Sequence, residues 1–281
     1  MEALETSRFD TPGSVTLEIR IPSGRVVVET IDEPRTEVEL IPRGRKGEEA
    51  IAQIDVSHDE RGGRHVILIE QRDRIRWGPL QISWGGDVEV RVRCPVGAEL
   101  EFSGASADFR ADGRYGKVSA RTASGDIHIG DVDGRLEVKT ASGDVELARI
   151  DSDDASLVTV SGDVEIGTIA GHLTLRTVSG DVELGVARGP VTISTTSGDV
   201  DLRSLEAGEL RIQSVSGDAR VGIGRGTKIF VDAASVSGDL NSELAMGDDV
   251  SAEGEDDPDL GDVVPVHVKT VSGDVRLVRA S

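Results

Sequence analysis

The chain has 281 residues, 37% hydrophobic and only 2% aromatic, and 52 acidic against 31 basic side chains give it a net charge of −21. That length buries a sizeable core, which has to be built from Val, Ile and Leu, residues suited to the narrow space between closely packed sheets. The charge is uneven, −5 over residues 1–100 and −16 over the remainder, and so acidic a surface is repelled by nucleic-acid phosphates and anionic headgroups, which argues against nucleic acid as a partner.

Residues 1–13 read as an N-terminal tail. It opens Met-Glu-Ala-Leu-Glu, acidic and without the apolar segment of a secretory signal, so the expected location is cytoplasmic. No apolar run approaches the roughly 20 residues that span a bilayer, so direct membrane insertion is not expected. From 14 to 100 apolar and polar residues alternate, as in Val15–Ile21, Val26–Thr30, Val38–Ile41, His65–Glu70 and Asp87–Arg93. Period two means strand. These strands lack the regular spacing found later and are expected to form a β-rich cap or irregular first coils, covering a sheet end that would otherwise offer unpaired edges.

Within this stretch, Arg72, Arg74, Arg76, Trp77 and Trp84 gather both tryptophans with a local cluster of base. Trp and Arg are favoured at interface hot spots, which makes this the candidate partner-binding patch; the plainer reading is a hairpin plug in which both rings are simply buried. Cys94, the single cysteine, lies before Pro95 at the end of an apolar strand pattern. It reads as a small buried hydrophobe rather than a nucleophile, and no disulfide within the chain is possible.

Residues 101–281 carry eight copies of Ser-Gly-Asp, starting at Ser124, Ser142, Ser161, Ser179, Ser197, Ser216, Ser237 and Ser272. The intervals are 18, 19, 18, 18, 19, 21 and 35 residues, so the chain stacks repeats instead of wrapping one core. Glycine recurs every nine residues through much of the array, and in Gly134–Leu147 the apolar Leu136, Val138, Val145 and Leu147 alternate with charge. Each nonapeptide supplies a short strand and a Gly-centred corner, and two strands per coil make an all-β fold, a flattened parallel β-solenoid of about 18-residue coils. A helix is excluded, because Val, Ile and Thr interrupted by regular Gly are poor helix formers.

Stacking brings Asp126, Asp144, Asp163, Asp181, Asp199, Asp218, Asp239 and Asp274 into a column at the strand spacing of about 4.8 Å. Neighbouring carboxylates at that distance repel by about 0.9 kcal/mol even in water's dielectric, so something must compensate. Corner hydrogen bonds from backbone N–H groups are one answer and bound Ca²⁺ another. The calcium-binding β-roll carries Gly-Gly-x-Gly-x-Asp in every nonapeptide, whereas here Asp follows Gly directly and at one corner per coil. Residues 247–262 add eight acids and no base, an insertion read as a solvated loop without EF-hand spacing.

The run Val88-Glu-Val-Arg-Val-Arg-Cys-Pro95-Val-Gly-Ala-Glu-Leu100, followed by repeated Thr-x-Ser-Gly-Asp-Val-x-Leu, resembles the Ser-Gly-Asp-repeat β-solenoid family of proposed adhesins, related to the toastrack domains of bacterial envelope-stress proteins. The resemblance covers nearly the whole chain from about residue 14 and implies a parallel β-helix without enzymatic activity, acting in adhesion or signalling at the cell envelope. The five histidines show no metal-ligand spacing and no Ser/His/Asp or Cys/His set assembles, so neither catalysis nor a cofactor is expected. The function expected is a non-enzymatic protein-interaction or scaffold module in an envelope-stress or regulatory system, with an unknown protein partner, possible self-association, and a calcium-dependent surface adhesin as the alternative. A polysaccharide-active β-helix enzyme rests on fold analogy alone.

Overall fold

The computed structural model describes residues 5–43, 47–72, 87–244 and 263–280. They form two compact units, Met1–Asp154 and Ala155–Ser281, each of them a flattened β-solenoid.

The first unit holds β1 (Glu5–Asp10), β2 (Ser14–Arg20), β3 (Ser23–Ile31), β4 (Arg35–Arg43), β5 (Ile54–Arg61), β6 (Arg64–Gln71), β7 (Asp87–Pro95), β8 (Glu99–Ser103), β9 (Ser106–Tyr115), β10 (Lys117–Arg121), β11 (Ile127–Val132), β12 (Leu136–Lys139) and β13 (Val145–Ile150), with one short helix, Gly47–Ile51. One sheet runs β1-β4-β7-β3-β9-β11-β13 and the other β5-β6-β2-β8-β10-β12. A coil is one strand in each sheet, so the β2/β3 coil lies between the later β6/β7 and β8/β9 coils, paired in parallel with both. The outermost strands are antiparallel: β4 on β7, β1 on β4, and β5 on β6. Sequence periodicity explains the core. In β3, Val26 and Val28 are buried while Arg25 and Glu29 face out, the period of two set by the pleat. Phe102 and Phe109 stack face to face inside, with centroids 4.4 Å apart. The buried Tyr115 sets its hydroxyl 3.1 Å from the Val28 carbonyl and 3.0 Å from that of Asp112, so its one polar atom is satisfied.

The second unit is more regular. Its strands are β14 (Ala155–Val158), β15 (Val164–Ile169), β16 (Leu173–Arg176), β17 (Val182–Ala187), β18 (Val191–Ser194), β19 (Val200–Leu205), β20 (Leu210–Gln213), β21 (Ala219–Ile223), β22 (Ile229–Ser237), β23 (Leu240–Ser242), β24 (Val264–Ser272) and β25 (Val275–Arg279). The sheets run β14-β16-β18-β20-β24-β22 and β15-β17-β19-β21-β25-β23, with every neighbouring pair parallel. Stacking does not follow chain order at the end: the β24/β25 coil slots in before β22/β23. The interior is aliphatic throughout, with rows such as Leu173, Val191 and Leu210 one above another. The acidic segment 247–262 lies outside the described residues.

Candidate recognition site

The corners show what Thr-x-Ser-Gly-Asp is for. Thr140, Thr159, Thr177 and Thr195 are buried, and each hydroxyl donates to the carbonyl of the Ser two residues on, at 2.9, 3.4, 3.2 and 3.1 Å. Gly180, Gly198 and Gly217 sit at φ of 123°, 121° and 122°, a region that L side chains avoid. A Cβ at any of the three would also run into the carbonyl of the corner glycine one coil before. Glycine is therefore required twice over.

The aspartates form a ladder through their backbones. In the first unit the N–H of Asp126 donates to Asp108 Oδ1 at 3.4 Å, and that of Asp144 to Asp126 Oδ1 at 3.1 Å. In the second, Asp181 donates to Asp163, Asp199 to Asp181, Asp218 to Asp199, Asp274 to Asp218 and Asp239 to Asp274, all at 2.8–2.9 Å. Each of these bonds runs between coils and engages one oxygen, Oδ1, of the accepting carboxylate. Among the described residues no group of three or more His, Cys, Asp or Glu is placed to hold a metal. Asp108 joins the ladder from Ser106-Ala107-Asp108, which stands 18 residues before Ser124-Gly125-Asp126 and could have been read as a degenerate first copy.

Of the aromatic-basic patch only Arg72 is described. It is exposed and bridges to Asp55 at 2.8 Å. Arg74, Arg76, Trp77 and Trp84 lie outside the described residues. Cys94 is fully buried, and burial pushes its thiol up to about 12, which leaves it without thiolate at neutral pH.

The concave feature that stands out is one the sequence does not announce. On the outer face of the first unit's β1–β13 sheet lies a cleft of about 790 Å³, lined by nine carboxylates, five guanidiniums and His128, drawn from β3, β4, β7, β9, β11, β13 and neighbouring corners. Its residues occupy the outward positions of strands whose inward positions are apolar, and register brings opposite charges together. Glu29 of β3 stands opposite Arg93 of β7, and Arg93 opposite Glu37 of β4. Glu37, its side chain only 6% exposed, is met by Arg8 at 3.2 Å, Arg35 at 3.3 Å and Arg93 at 3.5 Å. Glu89, 3% exposed, bonds to Arg43 and to Arg91 Nε. Burial pushes the Glu89 carboxyl upward, but hydrogen bonds from Arg43 and Arg91, together with their charges, outweigh it and hold the group below the usual carboxylate range. On the far side Arg110 pairs with Asp112 at 2.7 Å. His128 has Glu146 at 2.8 Å from Nδ1 and Asp112 at 3.4 Å from Nε2. Both imidazole nitrogens are thus engaged by carboxylates.

The profile described as Toastrack DUF4097 matches residues 15–278. The chain belongs to the toastrack family. Among curated proteins none matches it. Solved structures similar to this toastrack chain include a proposed adhesin of Parabacteroides distasonis, 10% identical, covering 98% of this chain and 96% of the other with a TM-score of 0.46. A proposed lipid-binding protein of the same species is 13% identical, with coverage of 98% and 96% and a TM-score of 0.40. A proposed cell adhesion protein of Clostridium sporogenes is 10% identical, with coverage of 98% and 99% and a TM-score of 0.24. The cytoplasmic location expected from the first residues is corrected: the similar solved structures are described as proposed adhesins and a proposed cell adhesion protein. An acidic start is a guide to local composition and not to the compartment. No described helix is long and apolar enough to cross a membrane.

Proposed function

We propose that this toastrack chain is a non-catalytic adhesion module that grips a protein partner with the charged cleft of its first unit. The observation that carries the reading is the cleft's lining: nine carboxylates against five guanidiniums, with Glu37 and Glu89 fixed in place by arginines. A rigid surface of both signs with an acidic excess suits a protein surface of mixed charge and basic excess, and it steers such a partner in. Calcium is not needed for this grip, which rests on the cleft's own charged side chains. Nor does the reading need an envelope-stress pathway, though a partner in the envelope would suit it.

The test is binding to an array of basic and mixed-charge peptides by the wild type, by Asp112→Lys/Glu146→Lys in the cleft, and by Glu183→Lys/Asp201→Lys on the second unit. Equal charge changes at the two places separate the cleft from the overall field. Loss in the cleft variant alone is expected; equal binding by both variants refutes the assignment.

A further inference from the structure

The last coil of the second unit presents an unfinished edge. β22 pairs with β24 on one side, and among the described residues no strand lies on its other side; β23 likewise ends its sheet. Not one residue of β22 or β23 is buried, whereas β20, two strands inward, alternates buried and exposed. Phe230 is 57% exposed and Val236 83%. The nine residues Ile-Phe-Val-Asp-Ala-Ala-Ser-Val-Ser hold a single charge and no proline. The outermost strands of the first unit are built differently: β5 carries Asp55, His58, Asp59 and Glu60, the kind of charged edge that discourages pairing.

We propose that β22 is a self-association edge on which a second copy of this chain docks, antiparallel and centred on Ala233. Two features of the strand select that occupant and that register. The Val264 N–H donates to the Lys228 carbonyl, so by the alternation of a parallel pair the amide groups of Ile229, Val231, Ala233 and Ser235 turn to the free edge. An extended strand is what satisfies them. Centring on Ala233 sets Phe230 opposite the partner's Val236 and Val236 opposite the partner's Phe230, two aromatic–β-branched pairs made from the most exposed apolar side chains of the strand. Asp232 then faces the partner's Ala234. Centring on Asp232 would oppose two carboxylates, and centring on Ala234 would strand Phe230 opposite the partner's Gly238. The contact is isologous, so it closes at two copies. Each copy carries a net charge of −21, so association should strengthen as salt screens the repulsion.

The experiment is sedimentation velocity on the full chain at concentrations from about 1 to 100 µM and at low and moderate salt. The expected result is a species of twice 29.7 kDa that grows with concentration and with salt. Phe230→Lys and Val236→Lys, checked for an unchanged far-UV spectrum, should each return it to monomer. Ala234→Lys places an ammonium opposite the partner's Asp232 twice in the dimer, and should tighten association several-fold while touching no buried group. A chain that stays monomeric throughout overturns the proposal. So does a dimer indifferent to both Lys variants at Phe230 and Val236, one loosened by Ala234→Lys, or growth beyond two copies.

Discussion

Replacing Asp181 by alanine and by asparagine separates the two things its carboxylate does. Oδ1 accepts the Asp199 N–H at 2.9 Å, and the charge is repelled by its neighbours in the ladder. Alanine removes both effects, whereas asparagine removes the charge and keeps an acceptor. A hydrogen bond to a charged group is worth about 1.5–3 kcal/mol and a neutral one about 1, the low end applying here because Asp199 is exposed and water can reach its amide. Against that, two neighbours one strand spacing away repel by about 0.9 kcal/mol each in water's dielectric. Asn gives up about 0.5 kcal/mol of hydrogen bond and relieves about 1.8 kcal/mol of repulsion, so at low salt Asp181→Asn should be about 1 kcal/mol more stable than the wild type; for alanine the two terms nearly cancel. Asp181→Ala should then be about 1 kcal/mol less stable than Asp181→Asn, and that difference should not depend on salt, since both variants have lost the charge. Urea unfolding followed by far-UV circular dichroism, at low and high salt and with calcium added, measures all of it. Equal stability of the two variants would refute the ladder as a hydrogen-bonded device, and a calcium-dependent gap between them would refute its assignment as purely structural.

Gly198→Ala forces a Cβ against the Gly180 carbonyl at φ +121° and should cost about 3 kcal/mol or more, read as a fall in the urea midpoint. Glu89 and Glu137 both sit below the usual carboxylate range, Glu137 at about 2 through hydrogen bonds from Lys139 and Arg121. A folded value below the unfolded one contributes stability that is fully present above the unfolded pKa and lost as pH falls through the folded one. Stability should therefore drop between about pH 4.5 and 2, and Glu137→Gln should remove about 1 kcal/mol of that pH dependence after solvent screening, seen in melts across that range. Thr177→Val loses a 3.2 Å hydrogen bond to Ser179 and should cost about 1 kcal/mol. Thr270, whose buried hydroxyl has no partner among the described residues, should give the opposite sign, with Thr270→Val neutral to about 1 kcal/mol more stable.

The repeat was legible because its rule is local. Ser-Gly-Asp every 18 or 19 residues fixes a corner and a strand length, and stacking in parallel follows from them. The part of the threonine was visible in the letters and missed, since a Thr two places before the Ser suggests nothing until its hydroxyl is seen bonded to the Ser carbonyl. The cleft was not legible for a different reason. Glu37 meets Arg8 and Arg93 because β4 lies antiparallel to both β1 and β7, and no spacing rule connects residues so distant in sequence. Stacking order escaped likewise. Asp239 lies on Asp274, and Asp274 on Asp218, although each of the three corners reads Ser-Gly-Asp; identical corners leave the order to packing over long separations.

That inverted order has a kinetic side. In the second unit β22 and β23 have no partners of their own until β24 and β25 are in place, because the layer they rest on is made of residues further along the chain. Residues 229–242 join the stack only through 264–279, which pair with β20 and β21. The late segment acts as a keystone: its arrival converts two waiting strands and an open layer into one cooperative block, and a chain cut before residue 264 forfeits both coils at once.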